Sequence, residues 1–184
     1  ITFFFNAGVE PEAGDVYYID DIEWIPAPAL PALEDFEVGQ GNLFWGPLNN
    51  NAVVHGSFSG GVANPNPVGG NTSAKVGCYT KGNSAFSEGV STLFGILPAG
   101  FLLGSYPQLN MDVWAPPGSV DITMVLVSPT QGNKEVTRNI PATGEWVNMG
   151  FDFSDHVGIT DFVAINILFD PGTTDQGKVF YFDN

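Results

Sequence analysis

The chain has 184 residues, and 20 Asp and Glu stand against five Lys and Arg for a formal charge of −15. That balance excludes a nucleic-acid backbone as partner, because such binding needs basic groups that displace counterions, and it disfavours anionic membrane surfaces for the same reason. With 23 Gly, 14 Pro and 13% aromatic residues, the composition fits short strands joined by turns rather than a helical or coiled-coil architecture.

Residues 1–24 read as an aromatic-rich strand, a polar turn containing Gly, and a second strand, together one β-hairpin. A lone hairpin is marginal in water, so this one needs a sheet to join. Residues 25–32 carry prolines at Pro26, Pro28 and Pro31 and have the make-up of a short stiff linker. The domain proper is expected over 33–184.

The end of the chain echoes its start. Ile165, Phe169, Gly172, Gly177, Val179, Tyr181 and Asp183 repeat Ile1, Phe5, Gly8, Gly14, Val16, Tyr18 and Asp20 in order, at a period of roughly 163 residues, one ordinary domain length. Residues 1–24 are therefore expected to be the closing hairpin of a preceding copy of the same domain. Neighbouring copies, in the same chain or another, are the expected partners.

Strand-like runs follow near 34–38, 52–59, 73–80, 90–97, 108–115, 120–127, 135–140, 146–153, 161–169 and 178–184, separated by Gly, Pro, Asn and Asp clusters. Alternation assigns faces. Leu109, Met111 and Val113 form one core row, Ile122, Met124 and Leu126 another, and Val147, Met149, Phe151 and Phe153 a third. The stretch 56–71 reads as loop. Cys78, the single cysteine, alternates with Ala74 and Val76 and is expected as a buried thiol; it excludes a disulfide framework and a cysteine zinc cluster. No run reaches the 18 apolar residues of a membrane span, so no membrane insertion is expected.

Catalytic patterns are weak. The only histidines are His55 and His156, and the contiguous Ser154-Asp155-His156 cannot converge as a triad. A paired-carboxylate glycosidase site has no local motif to support it, and no phosphate loop, dinucleotide fingerprint or zinc spacing is present. The chain is expected not to be an enzyme.

Several motifs stand in a telling order: Glu34-Asp35-Phe36-Glu37, Ser73-Ala74-Lys75-Val76, Leu109-Asn110-Met111-Asp112-Val113-Trp114-Ala115-Pro116, Thr143-Gly144-Glu145-Trp146, Phe169-Asp170-Pro171-Gly172 and Phe180-Tyr181-Phe182-Asp183-Asn184. Over 34–184 this order resembles the galactose-binding-like jelly-roll carbohydrate-binding modules. The resemblance implies an all-β antiparallel jelly-roll sandwich, extracellular placement and a structural Ca2+ joining the first and last strands. By position its ligands would be Glu37 and Asp183, with Asp35 as an additional one, and Asp20 would serve the preceding domain. Oxygen ligands of this kind suit calcium; the same carboxylates also suit an ordinary solvated strand end.

Sugar-binding modules hold rings against aromatic faces. Trp114, Tyr79 and Trp146 lie opposite the apolar rows of their strands, and Trp45 lies in a Gly- and Pro-containing loop, so these four are the candidate platforms. Asp112, Asn148, Asn166 and Lys75 share their parity and are candidate hydrogen-bonding groups. The same aromatics fit a core role, and the polar groups fit an ordinary outer face. Two functions remain open: a non-catalytic glycan-binding module, or a structural repeat of an adhesin or extracellular filament assembled through its terminal hairpin.

Overall fold

Twelve strands, several of them built of alternating apolar and polar residues, stand among the described residues of the computed structural model. These are β1 (Trp45–Pro47), β2 (Asn49–Asn50), β3 (Val53–Val54), β4 (Ser57–Ala63), β5 (Lys75–Thr80), β6 (Gly89–Thr92), β7 (Gln108–Trp114), β8 (Val120–Val127), β9 (Lys134–Ile140), β10 (Trp146–Asp152), β11 (Ala164–Phe169) and β12 (Val179–Asp183). The structure describes residues 34–37, 43–50, 53–54, 56–83, 88–92, 97, 103–104, 107–140 and 144–184. Contacts divide the chain into Ile1–Pro31 and Ala32–Asn184. The hairpin expected at 1–24 with Asp20, the linker at 25–32, and His55 lie outside the described residues.

Ten strands form two five-stranded sheets, in the orders β1-β6-β11-β8-β9 and β10-β7-β12-β5-β4; β2 and β3 make a separate short ladder. Every strand pairing among the described residues is antiparallel. This is the expected all-β jelly-roll sandwich. The expected core rows fill the space between the sheets: Met111 and Val113 from β7, Ile122, Met124 and Leu126 from β8, and Met149 and Phe151 from β10 followed by Phe153, with Leu109 and Val147 packed against them. Each such side chain contributes about 1.5–3 kcal/mol by leaving water. Phe169 and Phe182 link the sheets, their ring centroids 5.6 Å apart.

The topology corrects the closing hairpin. β11 pairs with β6 and β8, whereas β12 pairs with β5 and β7 in the other sheet, so the chain crosses the sandwich between them. Buried Lys81 pins this crossing, its Nζ donating to the carbonyls of Phe169 at 3.0 Å and Asp170 at 3.1 Å.

Two other expectations fail for local reasons. The opening 34–38 is no strand over its described part, Glu34–Glu37. Buried Glu34 accepts the amides of Asp35, Phe36 and Leu43 and the indole N–H of Trp45, which wraps the backbone around one carboxylate. Within the expected loop 56–71, Ser57–Ala63 forms edge strand β4, whose register slips between Ser59 and Val62. Gly61 takes φ +67° there, the conformation a bulge asks of glycine.

Candidate functional site

The sheet containing β12 turns a mixed aromatic and amide face outward. Register lines up Trp146, Trp114, Tyr181, Cys78 and Ser59 across five strands, with Asn148, Asp112 and Asp183 in the neighbouring row. Trp114 and Tyr181 meet edge to face, centroids 5.4 Å apart and planes at 74°. Both are half-buried. The indole N–H of Trp114 and the hydroxyl of Tyr181 have no hydrogen-bond partner among the described residues. Exposed Asn148 and Asn184 flank them.

The other candidate aromatics do not join this platform. Trp45 is in the core, edge-on to Phe182 at 5.6 Å with its N–H on Glu34 at 3.0 Å. Tyr79 is fully buried, stacked on Phe169 at 5.1 Å, and its hydroxyl reaches Glu88 at 3.2 Å; burial first, then the Glu88 charge, pushes its phenol well up. Parity grouped Tyr79 with the outward residues because Ala74, Val76 and Cys78 looked like the core row of β5. The inward row is instead Gly77 and Tyr79. Phe36 and Phe182 occupy the space a side chain at Gly77 would need, and Cys78 is half-buried on the outer face opposite Tyr181. Burial raises its thiol.

Trp146 is on the outer face but covered. Only 8% exposed, it donates its N–H to Asn64 Oδ1 at 3.1 Å and to the Asn66 carbonyl at 3.0 Å. A loop rich in Asn and Pro thus caps one end of the aromatic row. Asn166 sits on the opposite sheet, accepting from Ser91 at 2.6 Å. Lys75 is exposed and gives its backbone N–H to Glu37.

Asp112 is no surface hydrogen-bonding group. It is 5% exposed, and three amide nitrogens bond to it: Asn148 at 2.7 Å, Asn184 at 2.9 Å and Asn71 at 3.2 Å. The same Asn71 nitrogen reaches Asp183 Oδ2 at 2.9 Å. Asp183 is 1% exposed, and its Oδ1 has no hydrogen-bond partner. Burial drives its carboxyl above the usual range and Asp112 adds to the rise, against hydrogen bonds from Ser73 and Asn71.

That orphaned oxygen bears on the implied calcium, because an acceptor buried without a donor is chemically suited to a hard cation. Glu37 and Asp35 have other occupations. Glu37 is exposed, its Oε1 taking the amides of Ala74 at 2.8 Å and Lys75 at 3.1 Å, and Asp35 Oδ1 takes the Glu37 amide at 3.3 Å. Glu37 and Asp183 therefore grip the same segment, 71–75, from separate residues. Among the described residues no group of three or more His, Cys, Asp or Glu gathers in metal-binding geometry. Ser154–His156 forms one 3-10 turn, and no helix among the described residues is long and apolar enough to cross a membrane.

No protein-family model matches the sequence, and no curated protein matches it. Solved structures do match in shape. A family 11 carbohydrate-binding module from Clostridium thermocellum, in complex with a β-1,3-1,4-mixed-linked tetrasaccharide, superposes with TM-score 0.53 at 18% identity, over 83% of this chain and 91% of that one. The fold is that of the jelly-roll carbohydrate-binding modules. A substituted family 29 module matches with TM-score 0.52 at 16% identity, over 83% and 86% of the two chains. An exo-β-agarase matches with TM-score 0.56 at 12% identity, over 83% of this chain but only 24% of its own length. At these identities the likeness defines the fold, and function must be argued from the site.

Proposed function

We propose that the chain is a non-catalytic glycan-binding module of a secreted or cell-surface protein, with Trp114 and Tyr181 as its sugar platform. The observation that carries this reading is the half-buried edge-to-face pair, whose two polar tips have no partner among the described residues. Aromatic faces supply apolar contact to a sugar ring, while the free indole N–H and phenol O–H, with Asn148 and Asn184 beside them, supply donors and acceptors for hydroxyls. Solved modules of this fold include one in complex with a β-1,3-1,4-mixed-linked tetrasaccharide, which supports a glycan ligand. Affinity gels containing mixed-linked glucan, xylan and agarose test the reading. Retardation by at least one polymer, lost in Trp114→Ala and weakened in Tyr181→Phe, is expected; mobility unchanged in every gel would refute it.

We also propose that the structural calcium is seated at Asp183. Its unpaired Oδ1 is the support for this, and a bound divalent ion would neutralise a buried charge at the end of β12.

A second reading treats the domain as a structural repeat of an extracellular assembly. The echo of 165–184 in 1–24 favours it. Since β11 and β12 are interior strands of opposite sheets, a copy of that pair completes only a sandwich that lacks its own. Light scattering of the 184-residue chain and of residues 33–184 distinguishes the readings: a concentration-dependent oligomer that disappears on truncation favours assembly, and two monomers argue against it.

A further inference from the structure

We propose that the Trp114 and Tyr181 platform takes the free end of a neutral polysaccharide chain and not its interior. The proposal rests on the glycan reading above and names the part of the polymer that the site admits.

Two rings crossed at 74° cannot both lie flat under successive sugars of one chain. Apolar contact to a sugar needs a ring face, so the pair offers one stacking place, with the second ring standing against the rim of the same sugar.

A single loop closes that place on two sides. Along the row of the sheet the next residue is Trp146 on edge strand β10, and the 64–71 loop covers it: its N–H is bonded to Asn64 and Asn66, and a Cβ on Gly70 would come within 3.2 Å of its carbonyl oxygen. Along the strands, the next outward residues are Asp112 and Asp183, and Asn71 of the same loop bonds to both. Asn64 braces the loop, its Nδ2 donating to Asn71 Oδ1 at 3.0 Å and to the Ser73 carbonyl at 2.9 Å while its Oδ1 takes the Asn66 amide at 2.9 Å. A straight chain stacked on Trp114 therefore runs into the loop at one end. In the opposite direction lie half-buried Cys78 and exposed Ser59, small side chains over which the rest of the polymer can leave.

The hydrogen-bonding groups suit a terminal sugar. A carboxylate only accepts, so Asn148 and Asn184, each bonded to Asp112 through Nδ2, turn their Oδ1 atoms away from it. Those exposed oxygens call for hydroxyl donors. An internal sugar has oxygens at both linkage positions that carry no proton, whereas a terminal one keeps a hydroxyl at one of them. The two amides are backed by the buried carboxylates of Asp112 and Asp183, an arrangement that repels a uronate or a sulfated sugar and favours a neutral one.

Titration calorimetry of the full chain with the disaccharide, tetrasaccharide and hexasaccharide of mixed-linked glucan, of xylan and of agarose tests this, beside gel retardation by the intact polymers. Per mole, the hexasaccharide should bind within about three-fold of its disaccharide, and Trp114→Ala should weaken both at least about ten-fold. Polymer partly hydrolysed to multiply its ends should compete more strongly, at equal mass, than intact polymer, a readout that needs no variant to fold. A larger gain with length, or retardation by an intact polymer with no heat from its oligosaccharides, would overturn the chain-end assignment and leave the glycan reading standing. Wild-type affinity in a folded Trp114→Ala, checked by near-ultraviolet dichroism, would refute the platform and the chain-end site with it. Neither heat nor retardation with any of the three sugars would overturn the two together.

Discussion

Asp183→Asn should stabilise the calcium-free protein and destabilise the calcium-loaded one relative to wild type. The substitution keeps the shape of the side chain. Its amide oxygen can hold the Asn71 nitrogen now 2.9 Å from Oδ2, and its N–H2 takes the position of an oxygen that has no partner. What disappears is a buried negative charge opposite another one. A buried polar group left unsatisfied costs about 1–3 kcal/mol, and more when it is charged; the substitution removes the charge but not the unmet hydrogen bond, so we expect a gain of about 1 kcal/mol. For a domain of this size such a gain raises Tm by about 2–4 °C.

Calcium reverses the order. A ligand at a hundred times its Kd stabilises the state it binds by about 2.7 kcal/mol, and the variant forfeits that increment. Differential scanning calorimetry in EGTA and in excess CaCl2 reads both signs. A variant less stable than wild type in EGTA would refute the treatment of Asp183 as a strained, underpaired carboxylate. A variant that gains as much from calcium as wild type does would refute Asp183 as a ligand.

Gly89→Ala should prevent folding, because a Cβ there would overlap the Ile167 carbonyl oxygen across the β6–β11 ladder; an unchanged urea midpoint would contradict the packing. Lys81→Met removes the ammonium that satisfies two buried carbonyls and should cost about 2–4 kcal/mol in urea unfolding. Asp161 receives the hydroxyls of Ser128 and Thr130, each at 2.6 Å, and these bonds, Ser128 first, hold its carboxyl below 3.8. Since the folded pKa is depressed, the contribution is present above the unfolded value and is lost as pH falls through the folded one. An NMR titration of Asp161 should show a midpoint below 3.8 that moves upward in Ser128→Ala, and an unmoved midpoint would exclude the Ser128 bond as its cause.

Period-two alternation made the strands of 108–169 legible, because β7, β8 and β10 each carry an unbroken apolar row that only one face of a sandwich can accept. It failed at β5. There both rows look apolar, and the deciding fact is non-local: Phe36 and Phe182 arrive from distant parts of the chain to occupy the space beside Gly77. The opening loop was hidden for a related reason, since its shape follows from a single carboxylate, Glu34, binding amides nine residues away. β11 and β12 look like a hairpin in sequence, and only the pairing partners of each strand reveal a crossing between sheets.

The site was half legible for the same reason. Trp114 was found by parity, but its partner Tyr181 was passed over because the run Phe180-Tyr181-Phe182 reads as one apolar block. Asp112 shares the parity of the aromatics but is enclosed in the fold. Its neighbours in the fold, Asn71, Asn148, Asn184 and Asp183, are separated from it by between 36 and 72 residues, so no local pattern announces that it is enclosed. Enclosure changes its chemistry, because a carboxylate 5% exposed and bonded to three amides is withheld from a sugar hydroxyl by burial, whereas the two asparagines that it holds, Asn148 and Asn184, stay exposed beside the aromatic pair. Asp112 thus fixes two exposed asparagines beside Trp114 and Tyr181, and under the proposed function a change of charge at Asp112 would act on sugar binding through those two side chains.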